Sequence, residues 1–414
     1  MSQQLSFVMT YRIIAPQKIE ARIQLPSSKS ISNRALVLQA LSGGATMPDN
    51  LSDCDDTMVT IKALRDKPEV VDIMAAGTAM RFLTAYYSVT PDTRILTGTE
   101  RMRHRPISIL VDALRTLGAE IEYVEKDGFP PLRIKGKPLE SKEITLEGSV
   151  SSQYISALLM VGGVLSQGLT LHLTGNIISR PYIELTMQLM RDYGGEVSWL
   201  SENCIHVNGG GYQDTPYYIE SDWSAASYWY EIVALCKKAV VTLPGLFEHS
   251  YQGDSKGAEL FEKLSVKTDF TADGVVLTKT EDCSKRIDAN LVEIPDLAQT
   301  FVVTCCIKDI PFRFTGLQSL RIKETDRISA LITELRKLGF VLKAEGDEAL
   351  SWDGERCEAE QHPIIATYED HRMAMAFASA AFRFPNLQIA NPEVVSKSYP
   401  RFWEDLQKAG FTIC

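Results

Sequence analysis

Residues 110–136 read LVDALRTLGAEIEYVEKDGFPPLRIKG. The stretch opens as a helix that ends at Leu117-Gly118. Ala119 to Val124 then alternates as a half-buried strand does, a polar turn follows, and a second strand runs to Gly136. Gly118 stands where a helix end takes a left-handed residue. The same reading returns in Leu185–Gly209, LTMQLMRDYGGEVSWLSENCIHVNG, and in Leu331–Gly354, LITELRKLGFVLKAEGDEALSWDG, with Gly194 and Gly339 in the glycine's place. Leu260–Lys279, LFEKLSVKTDFTADGVVLTK, is a weaker copy without the glycine, and Phe402 to Cys414 is one more helix, glycine and strand. Helix, strand and hairpin repeated at this spacing make an α/β protein. The opening unit departs from the pattern. Its helix near Thr57 to Leu64 leads through Arg65-Asp66-Lys67-Pro68 almost directly to Val70-Val71, so this first unit is predicted to be abbreviated, without its hairpin. There is no Pro-rich linker, and a domain boundary is expected near Tyr218 to Asp222, where a new helix starts.

At 414 residues the chain holds two or three domains with ample cores. A 45% hydrophobic and 23% charged composition is that of an ordinary soluble protein. A net charge of -10 argues against a nucleic-acid binder, which needs a basic surface, but leaves room for a local basic cluster around a small anion. The eight cysteines form no Cys-x-x-Cys pair and the six histidines are scattered, so neither a disulfide framework nor a zinc site is expected. Met1 to Thr10 carries no basic n-region, and no apolar run reaches spanning length. A cytoplasmic protein without a membrane partner is the expectation.

Several helix starts are unusually rich in cations and hydroxyls. In Leu25–Leu41, LPSSKSISNRALVLQAL, Ser28 and Ser30 are both candidate N-caps, Lys29 precedes the helix, and Arg34 lies four residues after Ser30 on one face. A helix N-terminus already favours anions, so adding Lys and Arg there costs repulsion unless an anion arrives. Ala76-Gly77-Thr78-Ala79-Met80-Arg81 opens a second such helix, and Ser151-Ser152-Gln153 a third, with more polar groups than capping needs. Ser179-Arg180-Pro181-Tyr182 places Pro in a first turn. Arg101-Met102-Arg103-His104-Arg105-Pro106 is a basic hook whose arginines suit forked recognition of carboxylate or phosphate. Ser319, Lys323 and Arg327 are spaced four apart, with Glu324 beside them, and are expected on one helix face. Glu369-Asp370-His371-Arg372 opens an Ala/Met-rich helix, Asp296 is a lone acid in Ile-Pro-Asp-Leu-Ala, and Lys397 and Arg401 close the chain. Each is explained singly by capping or a salt-bridged surface. Together they imply a small polyanion, with Asp296 and Glu324 available to move protons.

Taken in order, LPSSKSISNRAL, AGTAMRFL, RMRHRPI, GSVSSQYISALLM, SRPYIELT, IPDLA, RIKETDRI and EDHRMAMAFA make the chain resemble the 5-enolpyruvylshikimate-3-phosphate (EPSP) synthase family from Leu25 to Phe402. The resemblance implies two domains of the inside-out α/β kind, built from βαβαββ units: residues 24–219, and residues 1–23 with 220–414, with the active site in the cleft between. It implies transfer of the enolpyruvyl group of phosphoenolpyruvate to the 5-hydroxyl of shikimate 3-phosphate, with release of phosphate and with no metal or organic cofactor. Shikimate 3-phosphate would be bound by Lys29, Ser30, Arg34, Ser151, Ser152, Gln153, Ser179, Tyr182, Asp296, Ser319 and Lys323. Phosphoenolpyruvate would be bound by Lys29, Gly77, Arg105, Gln153, Arg327, Arg372 and Lys397. Asp296 matches the base at the 5-hydroxyl, and Lys29 and Glu324 are the candidates for proton delivery. A monomer is implied.

Three positions depart from the family's usual pattern: Ala75 and Ser319 stand where Asn is usual, and Phe82 where Pro is usual. The charged residues are all present, so altered affinity rather than lost activity is expected. A non-catalytic anion-binding relative is the alternative that these departures and the missing hairpin motivate. A UDP-sugar enolpyruvyl transferase ranks lower, because Lys29 is followed by Ser30 rather than Asn and the basic hook holds no Cys.

Overall fold

The structure is a computed structural model that describes residues 9–414. Residues 1–8, part of the segment that the resemblance assigns to the second domain, lie outside the described residues. The chain divides into two compact units. One is Ser27–Glu220; the other is Ser221–Cys414 with the described residues up to Pro26. Ile23 and Leu25 both belong to the apolar core of the second of these.

The Ser27–Glu220 unit opens with α1 (Lys29–Ser42) and α2 (Asp55–Asp66). Lys67, at φ 44°, closes α2, and within a few residues the chain is in Val70–Asp72, already the first strand of the next sheet. No hairpin follows α2. A lone parallel bridge between Asp49 and Tyr218 stands where a sheet would be. The abbreviation read in the sequence is therefore real.

Two complete copies follow. Val70–Asp72 pairs parallel with Asp92–Thr97, and then antiparallel pairing adds Leu132–Gly136 and Glu120–Tyr123. The helices between these strands are α3 (Gly77–Val89), the short α4 (Glu100–Arg103) and α5 (Ser108–Thr116). The second copy runs Glu143–Glu147, Leu169–Thr174, Cys204–Val207 and Val197–Ser201 across its sheet, with α6 (Ser152–Gly162) and α7 (Arg180–Asp192).

The other unit holds three such sheets. Lys18–Arg22, Lys238–Pro244, Gly274–Lys279 and Val266–Thr271 make the first, with α8 (Trp223–Leu235) and α9 (Gly257–Glu262). Ile287–Asn290, Phe312–Thr315, Ala349–Trp352 and Lys343–Glu345 make the second, with α10 (Ala298–Ile307) and α11 (Arg327–Lys337). In the third, Ile364–Ile365, Gln388–Ala390 and Thr412–Ile413 are joined by Thr10–Ile14, which fills the place of the missing last hairpin strand. Its helices are α12 (His371–Ala378) and α13 (Phe402–Lys408).

Helices lie inside and sheets outside in each unit. One helix beside each complete sheet is buried almost all round: α3 and α6 in one unit, α8, α10 and α12 in the other. Helices apolar on every side belong in a core. The strands alternate instead, as in Glu120–Tyr123 and Leu132–Gly136, turning one face to the helices and one to water. Gly118, Gly194 and Gly339 adopt φ 92°, 79° and 87° before their hairpins, the left-handed region expected of them. In the copy without a glycine, Ser265 is forced to φ 75° at that place.

Candidate active site

In the Ser27–Glu220 unit the functional residues sit at helix starts. Ser28, not Ser30, caps α1, its hydroxyl accepting from the Ile31 amide at 3.4 Å. That leaves Lys29 and Ser30 in the first turn. The Lys29 ammonium pairs with Asp56 of α2 at 3.3 Å, a partner the sequence reading did not identify. Arg34, 2% exposed, is the hub. Its guanidinium donates to Thr186 Oγ1 at 2.6 Å, the Ser30 carbonyl at 2.9 Å, Ser156 Oγ at 3.3 Å and the Tyr182 carbonyl at 3.4 Å. Phe82 lies under it, ring centre 5.2 Å from Cζ. These are neutral partners, and burial pulls the Arg34 pKa down to about 10. Arg34 thereby joins α1, α3, α6 and α7, and ties Ser30 to the turn of Tyr182. Ser179 precedes that turn at φ 53°.

A second group forms around α6. Ser151 caps it by accepting from the Gln153 amide at 3.4 Å, and the Gln153 side chain donates to Thr78 Oγ1 at 3.1 Å. Thr78 follows Gly77, and the Arg105 guanidinium covers Gly77 so closely that a Cβ there would meet Nη1 at 2.8 Å. Of the basic hook, Arg105 is the residue turned onto Gly77; Arg103 pairs outward with Glu125 at 3.2 Å. Thr78 could have been found from its place beside Gly77. Thr186 and Ser156 carry no local signal, since they matter only through Arg34.

The other unit gathers its set around Asp296, on a 3-10 turn at the start of α10. Arg372 donates to Asp296 Oδ2 at 2.8 Å, Arg327 to Oδ1 at 3.1 Å, and Lys323 Nζ lies 3.4 Å from Oδ1. Arg327, 1% exposed, also reaches Glu324 at 2.9 Å and Asp370 at 2.7 Å. Burial alone would push the Asp296 carboxyl up, but Arg372, Lys323 and Arg327 outweigh it and hold the group well below the carboxylate range. Burial likewise opposes the charge on Arg327, and Asp370, Glu324 and Asp296 more than restore it. Asp254 is a further buried acid that sequence reasoning missed. It accepts from Ser224, and burial, with the Asp296 charge, raises it to about 6.

One expectation fails here. Ser319, Lys323 and Arg327 do not share a helix face. Gln318–Ile322 is a 3-10 turn, Lys323 is extended, and α11 starts only at Arg327, because Asp326 caps it by accepting from the Ser329 amide at 3.1 Å. The break is what lets Lys323 and Arg327 approach Asp296 from separate elements. Asp370 caps α12 through the Arg372 amide at 2.9 Å, as the Asp-His-Arg start requires. Lys397 ends a 3-10 turn that packs on α12. Among the described residues, neither Ser319 nor Lys397 bonds to the Asp296 cluster. No group of three or more His, Cys, Asp or Glu among them is arranged for a metal ion.

The profile of the family described as EPSP synthase (3-phosphoshikimate 1-carboxyvinyltransferase) matches residues 13–66 and 66–406. The chain belongs to the EPSP synthase family. Its reaction is therefore carboxyvinyl, or enolpyruvyl, transfer to 3-phosphoshikimate. The two matched stretches meet at Asp66, the end of α2, where the hairpin is absent. A 3-phosphoshikimate 1-carboxyvinyltransferase of Bacteroides fragilis is 63% identical over 405 residues, 98% of this chain and 99% of that one. The like-named protein of Serratia proteamaculans is 36% identical over 419 residues, 94% of this chain and 96% of its own. Among solved structures, an EPSP synthase from Acinetobacter baumannii superposes with a TM-score of 0.78 at 21% identity, covering 98% of this chain and 99% of that one. The enolpyruvyl transferase NikO from Streptomyces tendae gives 0.74 at 15% identity, covering 98% of each. These two show the shared fold.

Proposed function

We propose that both residue sets serve one pair of substrates, phosphoenolpyruvate and shikimate 3-phosphate, and move the enolpyruvyl group to the 5-hydroxyl with release of phosphate. Lys29, Ser30, Arg34, Ser151, Ser152, Gln153, Ser179 and Tyr182 bind shikimate 3-phosphate with Asp296, Ser319 and Lys323. Arg105 over Gly77, with Lys29, Gln153, Arg327, Arg372 and Lys397, binds phosphoenolpyruvate. Arg34 acts mainly by fixing Ser30 and Tyr182, since most of its donors are taken up inside the protein.

The observation that carries the reading is Asp296 held by three cations. Such a carboxylate is ionised but a weak base. When phosphoenolpyruvate draws on Arg327 and Arg372, and shikimate 3-phosphate on Lys323, the cations that depress Asp296 are diverted and its basicity rises. Asp296 then takes the 5-hydroxyl proton as the oxygen adds to C2 of phosphoenolpyruvate. Lys29 or Glu324 protonates C3 to give the tetrahedral intermediate; the same group then takes a proton back from C3 as the C2–O bond to phosphate breaks, so that the C2=C3 double bond re-forms and the arginines hold the charge of the departing phosphate.

The departures fit activity. The lost hairpin follows Asp66, while Asp56, at the other end of α2, pairs with Lys29; eleven helical residues separate the two ends by roughly 15 Å. Phe82 supplies the floor of Arg34. The eight cysteines are all free thiols, which supports a reducing, cytoplasmic setting, and a monomer is the oligomeric state we assign. No helix of the described residues is long and apolar enough to cross a membrane.

The test is phosphate release from the two substrates together, beside Asp296→Asn. We expect turnover that the variant loses by roughly 100-fold or more, the scale of general-base catalysis. Binding of shikimate 3-phosphate without any turnover in the natural chain would overturn the assignment.

A further inference from the structure

Outside the residues assigned above, a cavity of about 490 Å³ opens in the Ser221–Cys414 unit where α8 and α10 end. Lys237, Lys238, Lys279 and Lys308 line it, with the hydroxyls of Ser265, Thr278 and Thr280; Glu281 is the single acid of the lining. In a chain of net charge -10 this is a local excess of positive charge. Among the described residues no carboxylate forms an ion pair with any of the four lysines.

The ammonium groups of Lys279 and Lys308 both donate to one acceptor, the Ala234 carbonyl in the last turn of α8, the Lys308 bond measuring 3.2 Å. Lys308 also reaches Ser265 Oγ at 3.3 Å. A lysine at a helix C-terminus is ordinary, because it meets the last carbonyls and the negative end of the dipole. Two on one carbonyl, with two more at the rim, exceed that need. The strain is legible in Lys279, which burial and then the charge of Lys308 bring down to about 8.

We propose that this cavity is a second anion site, which takes a compact polyanion with the charge density of a diphosphate. The anion would sit among the four ammonium groups, draw Lys279 and Lys308 partly off the shared carbonyl, and use the Ser and Thr hydroxyls as further donors. Lysines bind such groups as point charges and need no forked geometry. The Asp296 set described above differs in kind: there the cations are paired with carboxylates. Here they surround open volume.

The experiment is site-resolved labelling of the full chain with an amine-reactive reagent, read by mass spectrometry at Lys237, Lys238, Lys279 and Lys308. Inorganic pyrophosphate is compared with chloride at equal ionic strength. Lys279, poised to lose its proton near neutral pH, labels fast in chloride. Pyrophosphate is expected to slow it by roughly fivefold or more, both by shielding it and by restoring its proton. A Lys237→Met/Lys238→Met double variant changes exposed residues only and leaves phosphate release unchanged. It should lose most of that protection, with pyrophosphate affinity falling roughly tenfold, about the upper range for two exposed charge pairs. Equal labelling in pyrophosphate and chloride, or protection that persists undiminished in the double variant, overturns the proposal.

Discussion

Two buried arginines show two ways of keeping a cation inside a protein. Arg34 in one unit is cradled by neutral oxygens: two hydroxyls and two carbonyls, over the Phe82 ring. Arg327 in the other is held by three carboxylates, Asp296, Glu324 and Asp370. The neutral cradle leaves the positive charge uncompensated and pulls its pKa down; the acidic one compensates it and drives its pKa up. The first arrangement suits a site that only has to attract an anion. The second suits a site that must also handle protons, because it stores carboxylates beside the cations that tune them. In the proposed reaction Asp296 and Glu324, two of the three candidates for moving protons, belong to the acidic set; Lys29 belongs to the other unit.

Truncating each arginine separates the two arrangements. Arg327→Met leaves the buried Asp370 and the part-buried Asp296 and Glu324 without the cation they share, and should cost about 3–5 kcal/mol of stability. Arg34→Met leaves only neutral acceptors and should cost about 1–3 kcal/mol. Urea unfolding of both decides it: equal losses would mean that the partner type does not matter.

Asp254→Asn sharpens it next. The Asp254 carboxyl is raised to about 6, so its folded form favours the proton. Its contribution to stability is present below the unfolded value of about 4 and is lost as pH rises through about 6. The variant should therefore match the natural chain at low pH and exceed it by about 2–3 kcal/mol at pH 7, the worth of a two-unit shift. Thermal unfolding across pH 4–8 measures this, and a constant difference would remove Asp254 from the electrostatic account. Asp296 works in the opposite sense. Its depressed pKa lends stability above about pH 4, lost only as pH falls through the folded value. Asp296→Asn should therefore narrow its gap to the natural chain in strong acid.

The smallest effect concerns the repeat. Ser265→Gly replaces the non-glycine residue at φ 75° and should stabilise by about 0.5–1 kcal/mol, less whatever the hydroxyl bond from Lys308 contributes. No gain in melting temperature would show that the hairpin copy tolerates its missing glycine without strain.

The repeat was legible because its signals are local. Leu-Gly before an alternating strand is turn chemistry and period, and both are properties of a few neighbouring residues. The abbreviated first unit was legible for the same reason: too few residues lie between Asp66 and Val70 for a hairpin. The helix-start cations were visible as a collection. Their partners were not. Asp56, Thr186 and Ser156 carry ordinary signals in sequence, and Asp254 lies in Gly253-Asp254-Ser255, which reads as a turn. The reading of Ser319, Lys323 and Arg327 as one helix face failed because four-residue spacing does not reveal that Asp326 restarts the helix as a cap.

From residues alone came the α/β repeat, the glycine-closed hairpins, the lost hairpin and the family, since each depends on short-range pattern or on motifs in order. Only the folded chain could show that Thr10–Ile14 completes a sheet with Gln388–Ala390 and Thr412–Ile413. The same holds for Arg34 reaching Thr186, and for Arg372 and Lys323 closing on Asp296 from different elements. Such contacts join positions far apart in sequence, and their energy comes from burial and charge compensation that no local window contains. The depressed Asp296 carboxyl and the raised Asp254 carboxyl exist only once those distant charges are brought together.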